Sequence, residues 1–119
     1  MKKVYTCFCT DVIHEGHLNI INKAREYGEV IVGVLSDSAM IRFNRFPIIS
    51  FEERMKLVSE IEGVSRVIVQ DEFDYDEVIR RIRPDYVIHG DNWTRGFMKV
   101  VRDRAEAALK KYGGEIIDV

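Results

Sequence analysis

The sequence predicts a Rossmann-like α/β fold, a doubly wound parallel sheet of five strands in a three-layer α/β/α arrangement. Three observations predict it. Short β-branched runs alternate with stretches of helical spacing along all 119 residues. The strand runs read as continuously apolar, which marks strands covered on both faces. The helices carry their own start and stop signals, from Ser50 to Gly113-Gly114. A chain of this length suits one domain with a core that needs no metal or disulfide.

The elements follow in order. Val4 to Cys9 reads as a buried strand and Thr10 to Gly16 as a loop. Leu18 to Tyr27 has Leu18, Ile21 and Ala24 on one side and Gly28 just past its end, hence a helix. Val30 to Leu35 is a second buried strand, and Ser36 to Ile49 is a loop rich in Arg, Asn and Phe. Ser50-Phe51-Glu52-Glu53 places an N-cap before a helix that runs to about Ile61. Val67 to Val69 is a short strand, and Tyr75 to Ile82 is a helix that stops before Pro84. Tyr86 to His89 is a strand, Phe97 to Tyr112 a long helix, and Glu115 to Val119 begins a fifth strand. No linker, repeat or low-complexity segment interrupts the pattern.

Composition excludes several classes. A formal net charge of -2 offers no polyanion-binding surface, so no nucleic-acid partner is expected. No apolar run reaches membrane-spanning length, and Asp11 with its polar neighbours breaks up any signal-peptide core. Cys7 and Cys9 lie two apart on one strand and read as small apolar residues. Reduced thiols of this kind suit a cytoplasmic protein.

Ligands of open α/β sheets bind beyond the carboxyl ends of the strands. The residues there with chemistry are Asp11-Val12-Ile13-His14-Glu15-Gly16-His17. His14 and His17, three apart, can share one side of a helical turn. Gly16 lets a phosphate approach the backbone, and the helix start offers free N–H groups to an anion. The glycines and lysine of a P-loop are absent. Position at the expected cleft favours phosphate binding or catalysis over a structural pair of histidines; zinc would need a third ligand, for which Asp11 is the near candidate.

The second cluster is His89-Gly90-Asp91-Asn92-Trp93, at the end of a strand. Asp91 and Asn92 can bind hydroxyls, base edges or backbone amides, and Trp93 can stack on a base or shield the site. The plain reading is an Asx turn beside a core tryptophan. Arg42 and Arg45 in the loop after the second strand, and Arg54 in the next helix, suit phosphate. Solvent exposure serves Arg42 and Arg45 equally well. The acidic run Asp71, Glu72, Asp74 and Asp76 reads as a solvated loop.

With His14-Glu-Gly-His17, Phe51-Glu-Glu-Arg54 and His89-Gly-Asp-Asn-Trp93, the chain resembles the cytidylyltransferase family along essentially its whole length. It is similar to the glycerol-3-phosphate and phosphonate-pathway members, some of which are fused to a phosphoenolpyruvate mutase. The resemblance implies transfer of CMP from CTP, with Mg²⁺, to a small phosphorylated or phosphonylated alcohol or amine, releasing pyrophosphate. It also implies a homodimer. By that reading His14, His17 and Arg54 are catalytic. Phe8, Cys9, Thr10, Asp11, Gly90, Asp91 and Trp93 join them around the nucleotide, and Arg42 or Arg45 holds phosphate. An ATP-using adenylyltransferase and a non-catalytic nucleotide-binding module are the alternatives. Two features depart from the family pattern: Cys7-Phe8-Cys9 replaces a glycine-containing stretch, and Asn44 stands where a lysine is usual. The family also has an Arg/Lys-Gly-Ile-Ser-Thr-Thr-like triphosphate motif after the fifth strand. The sequence to Val119 precedes it, so a closing segment is expected beyond.

Overall fold

In a computed structural model, described over residues 1–9, 13–42 and 45–119, every predicted strand forms. The elements are β1 (Lys3–Phe8), α1 (Glu15–Ala24), β2 (Glu29–Leu35), α2 (Asp37–Arg42), α3 (Phe51–Ser59), β3 (Val64–Gln70), α4 (Asp76–Ile82) and β4 (Tyr86–His89). A 3-10 turn (Asp91–Trp93), α5 (Met98–Lys110) and β5 (Glu115–Asp118) complete it. All strand pairs are parallel, in the order β3-β2-β1-β4-β5. The chain starts in the middle of the sheet, winds outward to one edge, then returns to β4 and winds to the other. The switch in strand order therefore lies between β1 and β4.

Alternate residues of each strand feed opposite layers. Val4 and Phe8 pack with Ile21 and Val58 on one face, under α1 and α3. Tyr5 packs with Ile79, Trp93 and Leu109 on the other, under α4 and α5. At the centre Tyr5 donates its hydroxyl to Gln70 Oε1 at 2.6 Å. Burial pushes the Tyr5 pKa well above its ordinary value, which keeps that donor protonated. Gly33 of β2 makes the room: a β-carbon there would lie 1.7 Å from the Tyr5 hydroxyl. Gln70 Nε2 in turn donates to the carbonyls of Glu72 and Asp74, at 2.8 and 3.3 Å, and ties down the turn after β3.

Two elements differ from the sequence reading. The segment expected as one loop from Ser36 to Ile49 contains α2, started by Ser36 Oγ accepting the Ala39 N–H at 3.2 Å. Its few turns bury only Ala39 and Met40, too few positions to make a readable period. Strand β3 begins three residues earlier than expected because exposed Ser65 and Arg66 belong to it. This is an edge strand, and polar side chains are ordinary at a sheet edge. The Ser50 cap forms as expected, accepting from Glu53 N at 3.2 Å. No helix among the described residues is long and apolar enough to cross a membrane.

Candidate functional site

The β1–β4 register runs only through Val4↔Tyr86 and Tyr5↔Val87. Beyond these pairs the two strands part, and the crevice between them widens into a cavity of about 570 Å³. Thr6, Cys7, Phe8 and Cys9 form one side, and His89, Gly90, Asp91 and Asn92 another. The start of α1 closes it with His14, Gly16, His17, Asn19 and Ile20, and Arg45 reaches it from the loop after α2.

His14 is the N-cap of α1. Its Nδ1 accepts the Gly16 N–H at 3.0 Å, and His17 Nδ1 accepts the His14 N–H at 3.1 Å. The imidazoles thus perform the reciprocal capping usually done by a hydroxyl and a carboxylate. The consequence is chemical. A nitrogen that accepts a backbone N–H cannot carry a proton, so each ring holds its proton on Nε2. Both residues present N–H donors to the cavity while uncharged. The rings lie 4.1 Å apart, and His17 sets its edge against Phe8 at 4.6 Å. Burial, and secondarily the neighbouring His14, lower the pKa of His17 below its ordinary value.

Gly16 keeps this pair in place. A β-carbon there would stand 2.7 Å from His14 Cε1. The substitution Gly16→Ala is therefore expected to turn the His14 ring and reduce turnover about tenfold or more. Alanine suits a helix better than glycine by up to roughly 1 kcal/mol, and loss of the His14 cap on the Gly16 N–H costs about as much, so thermal stability should hold. Activity assays paired with thermal melts check the combination; unchanged turnover would show that the His14 position does not matter.

At the end of β4, His89 Nδ1 lies 2.8 Å from the Gly90 carbonyl, and its ring stacks on Trp93 at 4.0 Å with an interplanar angle of 9°. Trp93 is fully buried, and its Nε1–H donates to Asp118 Oδ1 at 2.7 Å. It therefore supports the floor through His89 and does not offer its face to a ligand. Asp91 and Asn92 are exposed at the rim.

Of the residues singled out in the sequence, Phe8, Cys9, His14, His17, Arg45, Gly90 and Asp91 meet at the cavity. Thr10 and Asp11 lie outside the described residues. Arg42 turns away, donating to the Asp71 carbonyl at 2.6 Å and pairing with Glu72. Arg54 is buried and does not line the cavity. Its Nη1 donates to the Leu35 carbonyl at 2.7 Å, and its Nη2 pairs with Asp37. The guanidinium thus joins the end of β2 to α2. The Asp37 partner was not foreseen, because the helix that carries it was read as loop. Asn19 and Ile20 were also missed; their spacing of three and four from Gly16 on α1 is the signal that finds them. His89 was quoted within its motif without a role.

One wall of the cavity therefore presents donors and a helix N-terminus, as a polyphosphate requires. The β4 side presents a carboxylate and a carboxamide. Among the described residues, no group of three or more His, Cys, Asp or Glu is arranged to hold a metal.

Comparison with known proteins agrees with this geometry. The cytidylyltransferase-like family model matches residues 5–116. The bifunctional protein HldE of Desulfatibacillum aliphaticivorans is 36% identical over 95 residues, covering 77% of this chain and 19% of that protein. The FAD synthase of Methanopyrus kandleri is 31% identical over 93 residues, covering 75% of this chain and 62% of that protein. This chain thus spans about a fifth of the length of the HldE proteins it matches. Among solved structures, the lipopolysaccharide core biosynthesis protein of Thermoplasma volcanium superposes with a TM-score of 0.83 at 24% identity. The match covers 100% of this chain and 96% of that one, and the two share a fold.

Proposed function

The chain belongs to the cytidylyltransferase-like family, and from that premise we propose that it transfers the cytidylyl group of CTP to a small phosphorylated or phosphonylated alcohol or amine, with release of pyrophosphate. The observation that carries the proposal is the pair of imidazoles of His14 and His17, which line the crevice at the switch point from the start of α1, each with Nδ1 taken up by a backbone N–H.

The chemistry needs no covalent intermediate. An oxygen of the acceptor's phosphate or phosphonate, already anionic, attacks the α-phosphorus of the nucleotide in line, and pyrophosphate leaves. Catalysis then consists of alignment and of donors placed where charge gathers on the phosphate oxygens. His14 and His17 supply such donors while neutral, Arg45 adds a cation at the rim, and the first N–H groups of α1 complete the cradle. Mg²⁺ bound to a triphosphate keeps most of its water and takes few protein ligands. Asp91, the side-chain carboxylate among the described lining residues, would meet that need. The bound ion would supply charge neutralisation of the phosphates.

A second reading, adenylyl transfer from ATP, is favoured by the FAD synthase relative, which is named for a product that contains an adenylyl group. Pyrophosphate release by the full-length protein decides between them. The assay offers CTP or ATP with glycerol 3-phosphate, phosphoethanolamine, 2-aminoethylphosphonate and 2-hydroxyethylphosphonate. Release with CTP and one acceptor is the expected result. Release with ATP alone would replace the nucleotide. Nucleotide binding without release from any acceptor would leave a non-catalytic binding module.

A further inference from the structure

We infer that this protein has a second binding site, for a soft monovalent metal ion of the Cu(I) type, formed by the thiolates of Cys7 and Cys9 with the thioether of Met98. The inference does not depend on the nucleotide reading above.

The argument starts from where the sulfur atoms lie. The chain has two cysteines and four methionines. Cys7 is on β1, and Cys9 follows one residue past its end. Both pack against Leu35, Met40 and Phe73, so the two thiols share one side of the sheet. Both are free, and no disulfide uses them. Met98, the first residue of α5, joins them from the layer above. The three sulfur side chains line one small cavity of about 30 Å³. Both cysteines and two of the four methionines thus gather at one place.

Cysteine and methionine are ordinary core residues, and one of them beside a void means little. Here the void itself decides. It has room for a single water, but a water needs two to four polar partners. Leu35 and Phe73 offer none, and thiols and thioethers are weak partners. The same lining is well matched to a soft cation, since thiolate and thioether donors select Cu(I). Zinc asks for four ligands of the Cys, His or carboxylate kind. Even three of these are not arranged for a metal among the described residues. A Cu(I) ion is satisfied by two thiolates with a thioether as the third donor. Binding breaks two S–H bonds, forms two S–Cu bonds and releases both protons to solvent. Copper enters as Cu(I), so no electron moves. Cys7, Cys9 and His89 line this cavity and the large crevice alike, which places the ion in the wall between them.

The test is an anaerobic titration of the full-length protein with Cu(I), in competition with the chromophoric chelator bicinchoninate. Wild type should take up one equivalent more than Cys7→Ala or Cys9→Ala, each of which should weaken that site by about a hundredfold or more. Met98→Leu, which keeps the volume, should weaken it roughly tenfold. Thermal melts show that each variant is folded. X-ray absorption at the copper edge of the loaded wild type needs no variant and should show sulfur neighbours alone. No uptake by wild type against the chelator overturns the inference. So does wild-type affinity in any of the three variants, or a copper shell of nitrogen and oxygen, the mark of an ion held adventitiously at the surface.

Discussion

Replacement of His17 by alanine is expected to lower turnover by about a hundredfold or more while the domain still unfolds cooperatively near the wild-type temperature. The activity loss follows from the position of the donor. His17 is fixed through Nδ1 and lines the cavity where, on the proposed function, the transferring phosphate gathers charge. Removing one such donor from a preorganised site typically costs a factor of a hundred to a thousand. The stability loss is smaller because the His14 N–H that His17 accepts is exposed and water can replace the imidazole. Loss of a cap costs about 1 kcal/mol. Pyrophosphate release and a thermal melt on the same sample separate the two effects. Turnover near wild type would show that His17 serves α1 as a cap and nothing more.

The substitution Gly33→Ala should have the largest effect on stability, about 3 kcal/mol or more. The new methyl group would occupy the place of the Tyr5 hydroxyl, 1.7 Å away, in the middle of the sheet where neither strand can move aside. The damage should reach the turn after β3, because displacing Tyr5 takes away the partner of Gln70, whose amide holds that turn. In Tyr5→Phe the nearest obstacle is gone and Gln70 loses its donor. The double variant should be more stable than the sum of the two single losses, which is the mark of groups in direct contact. Urea titrations of the four proteins measure the coupling. An unfolding midpoint for Gly33→Ala equal to wild type would contradict the packing described.

How much of this was legible in the sequence depends on how local each feature is. The alternation of strands and helices is written in runs of a few residues, such as Val30 to Leu35, and survived intact. So did the Ser50 cap. The meeting of His14 with His17 was also local, since a separation of three closes within one helical turn. The fate of Arg54 was not local. Its Asp37 partner is 17 residues away, on a helix too short to show a period, so the pairing has no local signal. Trp93 behaved likewise: its partner Asp118 is 25 residues on, and the bond drew the indole beneath His89 instead of across the cavity.

By itself, then, the sequence determined the fold class, the order of the elements and the two loops that meet at the crevice, because hydrophobic period and turn chemistry act between near neighbours. Only the tertiary structure decided which side chains face that crevice and in what chemical state. Three histidines look alike in a sequence. Two became donors and one an acceptor because a backbone N–H stands at Nδ1 of His14 and His17, and a carbonyl at Nδ1 of His89. The proton sits where the folded backbone leaves room for it.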